Sequence, residues 1–316
     1  MTRVLVTGAN GFVGRTLCGV LTAAGLTVRA AVRDAAAPGT AQERVVVGDI
    51  SRADWTEALH DVQIVVHAAA RAHAPPGVVE DEVYLRVNGE ATAHLARAAA
   101  QAGVGRFVYL SSVKVNGEGR ERAYSAADEP RPADVYGRSK WLGEQYALEA
   151  SGRTTMQVAV VRSPLVYGPG VRANFLRLMR WVECGWPLPL GAIRNRRSMV
   201  SVWNLCDLLG RTLTHPAAAG RVWMVSDGED LSTPELLRRV AGAMQRRARL
   251  VSIPTGLLRT AGNFCGLGPA VSRLCDSLTL DISATRSELE WSPPLSVAEG
   301  IARTVSWYLA ERGLHR

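Results

Sequence analysis

Val4-Leu5-Val6-Thr7-Gly8-Ala9-Asn10-Gly11-Phe12-Val13-Gly14 joins a short β-branched run to a turn with a glycine at every third position, and Thr16 to Ala24 follows with helical composition. The glycines permit a tight turn, let backbone approach a pyrophosphate, and let a helix pack closely on a strand. The N-terminus of that helix adds N–H donors and a favourable dipole for an anion. The spacing alone occurs in ordinary turns; its place between a strand and a helix, at the very first strand, points to a dinucleotide.

Working outward, β-branched runs alternate with Ala-rich stretches. Strands are expected at Val4 to Thr7, Val28 to Val32, Val45 to Val47, Ile64 to His67, Phe107 to Leu110 and Val158 to Arg162, with helices at Thr16 to Ala24, Trp55 to Leu59, Gly89 to Ala102 and Val135 to Ala150. Such alternation builds βαβ units and a parallel sheet covered on both faces, here a doubly wound Rossmann sheet of the α/β class. After Arg162 the regularity breaks at Pro164, Gly168, Pro169, Gly170, Gly185, Pro187, Pro189 and Gly191, where a smaller α/β C-terminal substrate domain is expected to begin. Val222 to Ser226 reads as a return to the sheet, and Pro234 to Arg246 and Ser296 to Glu311 as helices. The expected division is a dinucleotide domain over 1–165 and about 205–230, and a substrate domain over about 166–204 and 231–316.

The chain has 316 residues, 47% hydrophobic and 21% charged, which excludes a disordered or collagen-like polymer and a small disulfide scaffold. Its net charge of +8 comes almost entirely from Arg, since Lys114 and Lys140 are the only lysines. The arginines are dispersed, with no zinc-finger, RNP or aromatic-basic alternation, so no nucleic-acid partner is expected, and phosphate-bearing small molecules are the next candidate. Cys18, Cys184, Cys206, Cys265 and Cys275 are odd in number and form no C-x-x-C pair; they read as buried free thiols, with no metal site. No segment approaches about 18 to 20 consecutive apolar residues, so no transmembrane segment is expected. The start, MTRVLVTGANGFVG, lacks the unbroken apolar stretch of a secretory signal, and a cytoplasmic location follows as the expectation.

The end of the second strand decides between NAD and NADP, because an acid there takes the ribose 2′-hydroxyl whereas Arg accommodates a 2′-phosphate. The position is Val32, followed by Arg33, which favours NADP(H). Asp34, two positions on, is the alternative partner of the ribose, and keeps NAD(H) open. Asp49 and Ile50 follow the third strand, placing Asp49 near the adenine, and Ala68, Ala69 and Ala70 follow the fourth with side chains small enough for backbone to meet a cofactor.

Tyr136-Gly137-Arg138-Ser139-Lys140 sets a phenol and an ammonium one helical turn apart on one face. A Tyr exchanges protons near neutrality only if its pKa falls from about 10 by roughly 3 units, about 4 kcal/mol, which an adjacent Lys and a nicotinamide cation would largely supply. That role needs Lys, because Arg does not titrate. Ser111 and Ser112 close the fifth strand at the carboxyl end of the sheet, where ligands bind in such folds, and a hydroxyl there is placed to meet a sugar oxygen.

Together T-G-A-N-G-F-V-G, G-D-I, H-A-A-A, Asn88, the serine pair, Y-x-x-x-K and Arg162-Ser163-Pro164-Leu165-Val166-Tyr167-Gly168-Pro169-Gly170 resemble the extended short-chain dehydrogenase/reductase superfamily, and within it the NAD-dependent epimerase/dehydratase family that acts on nucleotide sugars. The resemblance covers essentially the whole chain. It implies Ser112, Tyr136 and Lys140 as catalytic residues, with Asn88 supporting the site. The cofactor residues it implies are Gly8, Asn10, Gly11, Phe12, Val13, Gly14, Arg33, Asp49, Ile50, Ala68 to Ala70, Asn88, Tyr136, Lys140 and Ser163.

Later segments resemble the O-antigen nucleotide-sugar 4-ketoreductase branch, often labelled UDP-glucose 4-epimerase. They are Ser112 to Glu118, Gly170 to Leu176, Pro187 to Gly191, Asn195 to Ser198 and Ser226 to Thr233. By that resemblance Asn174 meets the diphosphate, Leu188 and Pro189 border the uracil, and Arg197 neutralises a phosphate, with Ser112, Val113 and Lys114 at the sugar. A guanidinium suits paired phosphate oxygens. A solvated loop is the alternative for Arg194, Arg196 and Arg197, and solvent is the alternative for Lys114.

Two departures narrow the chemistry. Val113-Lys114 stands where 4,6-dehydratases of the family carry Asp-Glu, which argues against dehydration, and Asn116 stands where epimerases commonly carry Tyr. The leading expectation is a reductase that takes hydride from NADPH to C4 of a UDP-linked 4-keto-6-deoxy-N-acetylhexosamine for surface polysaccharide such as the O-antigen of lipopolysaccharide. The alternative is a UDP-hexose (UDP-glucose or UDP-GlcNAc) 4-epimerase with tightly held NAD. A non-catalytic dinucleotide-binding scaffold is a third reading, opposed by the intact Ser112, Tyr136 and Lys140. The resemblance also implies a homodimer through the helices around Gly89 to Ala102 and Val135 to Ala150. Gly256 to Leu280, with Leu257, Leu258, Phe264, Leu267 and Leu274, reads as core packing, with a lid or interface as the alternative.

Overall fold

The structure, a computed structural model, describes residues 2–36, 39, 41–72, 81–152 and 154–313. Its elements are β1 Arg3–Thr7, α1 Phe12–Ala23, β2 Thr27–Val32, β3 Glu43–Val46, α2 Thr56–Leu59, β4 Ile64–His67, α3 Asp81–Tyr84, a π-helical turn Leu85–Glu90, α4 Ala91–Gln101, β5 Arg106–Ser112, α5 Val135–Ser151, β6 Gln157–Ser163, β7 Leu165–Tyr167, α6 Ala173–Cys184, β8 Met199–Ser201, α7 Val202–Thr214, β9 Arg221–Met224, α8 Thr233–Ala243, α9 Thr255–Phe264, α10 Gly268–Cys275, α11 Ser283–Glu288 and α12 Val297–Gly313. The main sheet is all parallel, in the order β3-β2-β1-β4-β5-β6-β9. The order reverses between β1 and β4, and this switch point opens the crevice in which doubly wound folds bind ligands.

Alternation along the strands sends one set of side chains to each face. Val4, Val6, Val28, Ala30, Val66, Val108 and Val161 pack with Leu17, Cys18 and Leu21 of α1 and Leu205, Leu208 and Leu209 of α7. Leu5, Ala31, Val65, Phe107, Val158 and Val160 pack on the other face with Leu95, Ala96 and Ala99 of α4 and Ala147 of α5. A separate core gathers Phe175, Met179, Leu237, Val240, Ile301 and Val305 from α6, α8 and α12. Leu289 and Trp291, far along the chain, join the first core instead, and the Trp291 indole donates to Asp207 at 2.7 Å. Asp227, just past β9, ties the layers together: its carboxylate accepts from the Tyr167 hydroxyl at 2.6 Å, Asn204 Nδ2 at 2.6 Å and the Ser201 N–H at 2.9 Å.

Several expected boundaries move. The first helix starts at Phe12, inside the glycine turn, because Gly11 already serves as its N-cap. The helix expected from Gly89 starts at Asp81 and passes through the π turn that carries Asn88, a placement typical of π turns at functional sites. The strand expected at Val222 to Ser226 is Arg221–Met224, and it is the seventh of the sheet.

Two readings are corrected. Cys184 and Cys265 are exposed, leaving Cys18, Cys206 and Cys275 as the buried thiols. In Gly256 to Leu280, Leu258 and Leu274 do pack against the third core, but Leu257, Leu267 and Phe264 face outward, because α9 and α10 form a hairpin with one apolar side left uncovered.

Candidate active site

The β1–α1 turn is a backbone cradle. Gly8 has φ +68, and a Cβ there would come within 2.8 Å of the Ala69 backbone; a Cβ on Gly14 would fall 2.1 Å from the Gly8 carbonyl oxygen. Gly11 donates its N–H to that carbonyl at 2.8 Å. No side chain caps α1 and its first turn holds no acidic residue, so the positive end of the helix is unneutralised. Ala68 and Ala69 press on the turn from the end of β4, and the Ala69 N–H donates to the Thr7 hydroxyl at 3.2 Å. These features fit a pyrophosphate.

At the end of β2, Val32 is buried while Arg33 and Asp34 are exposed. Asp49 accepts from the Ser51 N–H at 3.0 Å and hydroxyl at 2.9 Å; these bonds hold its carboxyl below the usual range, and the nearby Arg86 and Arg33 guanidinia add to the effect. Arg86, from the π turn, was not anticipated in this neighbourhood. Ile50 packs against the core beneath.

The phenol and ammonium sit on the first two turns of α5. Asp134 caps the helix by accepting from the Gly137 N–H at 2.7 Å, which fixes where Tyr136 begins. Tyr136 is half-buried beside Ser112, with the Tyr84 ring edge-on at 6.3 Å. Burial pushes its pKa up to about 12; the hydrogen bond with Ser112 opposes this, and Asp134 and Tyr84 add to it. The expected lowering by Lys140 is thus absent from the protein alone, because removing the phenol from water outweighs its neighbours. Ser112 also accepts from the Lys114 N–H at 3.3 Å. Lys140 is 2% exposed, with Nζ 4.1 Å above the centre of the Tyr109 ring. Burial pulls it down to about 7, against the pull of Glu144.

Two buried networks hold this group from below. His67 bridges the Thr7 hydroxyl (Nδ1, 2.6 Å) and the Thr92 hydroxyl (Nε2, 3.0 Å) and stacks on Tyr109 at 5.6 Å. Thr92 donates to the Asn88 carbonyl at 2.7 Å, which leaves it to accept from Nε2–H and assigns the His67 tautomer. Burial holds His67 down at about 3, so it is neutral. Asn88 clips the segment after β4 to α5, with Oδ1 accepting from the Arg71 N–H at 2.8 Å and Nδ2 donating to the Arg71 carbonyl and to Ser139 Oγ at 2.9 Å.

The second network is a buried ion pair. Arg162 gives Glu144 two hydrogen bonds, at 2.9 and 2.6 Å, Ser111 adds a third to the same carboxylate at 2.5 Å, and Arg162 Nη1 donates to Asn116 Oδ1 at 3.0 Å. Asn116 therefore faces a buried guanidinium. Glu144 was missed in the sequence although it continues the spacing of four that links Tyr136 and Lys140.

The residues expected at the substrate are less convergent. Lys114 Nζ is paired with Asp134 at 2.5 Å and Glu118 at 2.7 Å. Asn174 is exposed on the first turn of α6, whose N-cap residue Arg172 makes no side-chain cap. Leu188 pairs with Leu250 and is half-buried, Pro189 is exposed, and Val113 is buried. Arg194 and Arg196 are exposed, whereas Arg197 turns inward and donates to the Arg273 and Asp276 carbonyls at 3.1 and 2.9 Å, with Glu118 among its neighbours. Ser163 is buried and donates to the Ser111 carbonyl at 3.3 Å.

Residues 4–226 match the NAD dependent epimerase/dehydratase family. A Vibrio cholerae protein named UDP-glucose 4-epimerase is 40% identical over 319 positions, covering 97% of this chain and 95% of that one. A Streptomyces griseus protein named dTDP-glucose 4,6-dehydratase is 30% identical, covering 98% and 95%. The solved structure of MoeE5 in complex with UDP-glucose and NAD superposes with a TM-score of 0.80 at 29% identity, covering 99% of both chains. With its Rossmann sheet, its Gly8 to Gly14 cradle and the Tyr136–Lys140 helix, the chain belongs to the NAD-dependent epimerase/dehydratase family of nucleotide-sugar enzymes.

Proposed function

We propose that this chain moves a hydride and a proton at C4 of a UDP-linked hexose, and that its net reaction is the NADPH-dependent reduction of a UDP-4-keto-6-deoxy-N-acetylhexosamine. The observation that carries the reductive reading is the end of β2, where Val32 and the exposed Arg33 replace the acid that would select NAD; Arg86 lies in the same neighbourhood. The bound nicotinamide supplies the hydride. The turn from Gly8 to Gly14 holds the pyrophosphate, and Arg33 takes the 2′-phosphate.

Tyr136 gives its proton to the C4 oxygen as that oxygen gains charge, and Ser112 donates a hydrogen bond to the same atom. A phenol held near pKa 12 is protonated at neutral pH, the form that reduction requires. Lys140, near pKa 7, binds the nicotinamide ribose and feeds charge toward Tyr136. Asn88 and Ser163 hold the surrounding backbone. Lys114 has no carboxylate neighbour in sequence to expel water, which supports the exclusion of a dehydratase, while Asn174, Leu188, Pro189 and Arg197 take the UDP. In this reading 1–165 and about 205–230 carry the cofactor, and about 166–204 and 231–316 the sugar nucleotide. The same reading makes the chain a cytoplasmic homodimer joined through α4 and α5, in the synthesis of surface polysaccharide such as O-antigen.

A second reading is a UDP-hexose 4-epimerase with NAD retained through the cycle. It is favoured by the name of the Vibrio cholerae relative and by the NAD and UDP-glucose in the MoeE5 structure.

The test follows the loss of reduced-nicotinamide absorbance with purified protein, NADPH or NADH, and UDP-2-acetamido-2,6-dideoxy-4-hexulose, with NMR of the product. Stoichiometric NADPH oxidation that disappears in Tyr136→Phe establishes the reductase. Interconversion of UDP-glucose or UDP-GlcNAc with its C4 epimer, without net cofactor use, establishes the epimerase instead.

A further inference from the structure

Between Leu236 and Cys275 the sequence holds seven arginines and neither an acidic residue nor a lysine, in a chain whose whole net charge is +8. The same stretch contains the α9–α10 hairpin, which exposes three large apolar side chains. Phe264 is 94% exposed, Leu257 63% and Leu267 58%. Leu257, Ala261 and Phe264 recur at helical spacing on the outer side of α9, while Leu258 of α9 and Val271 and Leu274 of α10 pack inward against the core. The Leu267 N–H donates to the Gly262 carbonyl at 2.7 Å and closes the turn between the helices. The segment before α9 pairs with residues 188–191, through the Leu188–Leu250 bridge and the bond from the Gly191 N–H to the Val251 carbonyl; Val251 is exposed, as is Trp186, two residues before Leu188.

The charge in this stretch is largely uncommitted. Arg259 is paired with Asp276, but Arg247, Arg249 and Arg273 are exposed and make no ion pair among the described residues. An apolar ridge bordered by unpaired guanidinia is the composition of an interfacial helix, whose aromatic and aliphatic residues enter the lipid boundary while arginines meet the headgroups. A two-fold contact with a second copy would set the same cationic surface against itself. No helix among the described residues is long and apolar enough to cross a bilayer. We propose that the α9–α10 hairpin is a peripheral membrane contact, seating Leu257, Phe264 and Leu267 on an anionic bilayer surface through Arg247, Arg249 and Arg273. The contact is independent of the reaction assigned above.

Flotation of the full chain with vesicles of phosphatidylcholine, alone or with one-third phosphatidylglycerol, tests it. Wild-type protein is expected to float with the anionic vesicles only, and less so at raised salt. Arg247→Gln and Arg249→Gln should each lower the partition by roughly fivefold, and Phe264→Glu with Leu267→Glu should abolish it while the melting temperature stays unchanged. Wild-type protein that floats with neither vesicle overturns the proposal. A wild-type dimer that the Phe264→Glu, Leu267→Glu variant splits in sedimentation, without vesicle binding, overturns it in favour of a second copy.

Discussion

The two lysines of this chain stand about 26 residues apart in sequence and in opposite electrostatic worlds. Lys114, 30% exposed on the loop after β5, has a carboxylate on either side; burial works against its charge, but the hydrogen bonds it donates to Asp134 and Glu118 prevail and hold its pKa above the ordinary value. Lys140, buried in α5, has an aromatic ring beneath it and its nearest opposing charge one turn away, already engaged by Arg162. The comparison shows that proximity to the site does not decide which lysine is poised to act. Burial without a partner makes an ammonium titratable near neutrality, and two partners make it a permanent cation.

The largest expected effect comes from removing the buried member. Lys140→Met should lower turnover by about 10²–10⁴-fold. It should also stabilise the fold at neutral pH, because the folded state resists a proton that the unfolded state binds freely between about pH 7 and 10.5. That gain should shrink as pH rises toward 10.5, and melting curves across pH measure it. A variant less stable than wild type at pH 7 would break the comparison.

His67, beneath the same aromatic ring, extends the argument to acid. Its folded pKa of about 3 lies below the ordinary 6.5, so neutral burial costs nothing above pH 6.5. Stability should be lost as pH falls from 6.5 to 3, by about 5 kcal/mol from this group. Urea titrations should show a shallower acid loss in His67→Asn than in wild type.

Glu144→Gln should cost about 3–5 kcal/mol, since it strands the Arg162 guanidinium in the interior. Because Glu144 is the group that holds Lys140 up, and the reaction uses Lys140 in its charged form, the alkaline limb of kcat/KM should also move to lower pH. An unmoved limb would mean that Glu144 serves packing alone. The smallest change belongs to Lys114→Met, whose partly exposed ion pairs are worth about 0–1 kcal/mol and whose turnover should fall less than tenfold. A KM raised more than tenfold would show that Lys114 leaves its carboxylates to meet the sugar.

How much of this was legible in the sequence depended on the range of the interaction. The glycine cradle, the Tyr136–Lys140 pair and Ser112 are local patterns, and the structure brings Ser112 and Tyr136 together as their positions at the ends of β5 and α5 implied. The sheet was legible for the same reason, because a buried parallel strand is a short uniform run. His67, Thr92 and Glu144 were not singled out, since their meaning lies in partners 18 to 60 residues away. That Arg197, read as a phosphate ligand, also donates to the carbonyls of Arg273 in α10 and of Asp276 just after it is something no spacing reveals. The upward shift of Tyr136 in the protein alone was not legible, because neighbours can be read from a helix repeat and desolvation cannot.

The place of β9 in the sheet has a consequence for synthesis. β6 ends at Ser163, yet its outer neighbour begins only at Arg221, after β7, α6, β8 and α7. On a ribosome adding about 5–20 residues per second, the β6 edge stays unpaired for several seconds. During that wait it is a row of open hydrogen-bonding groups of the kind that recruits stray strands. The nascent chain is therefore most prone to aggregate between the emergence of these two strands, and a pause placed there by slow codons should lower the soluble yield without altering the finished protein.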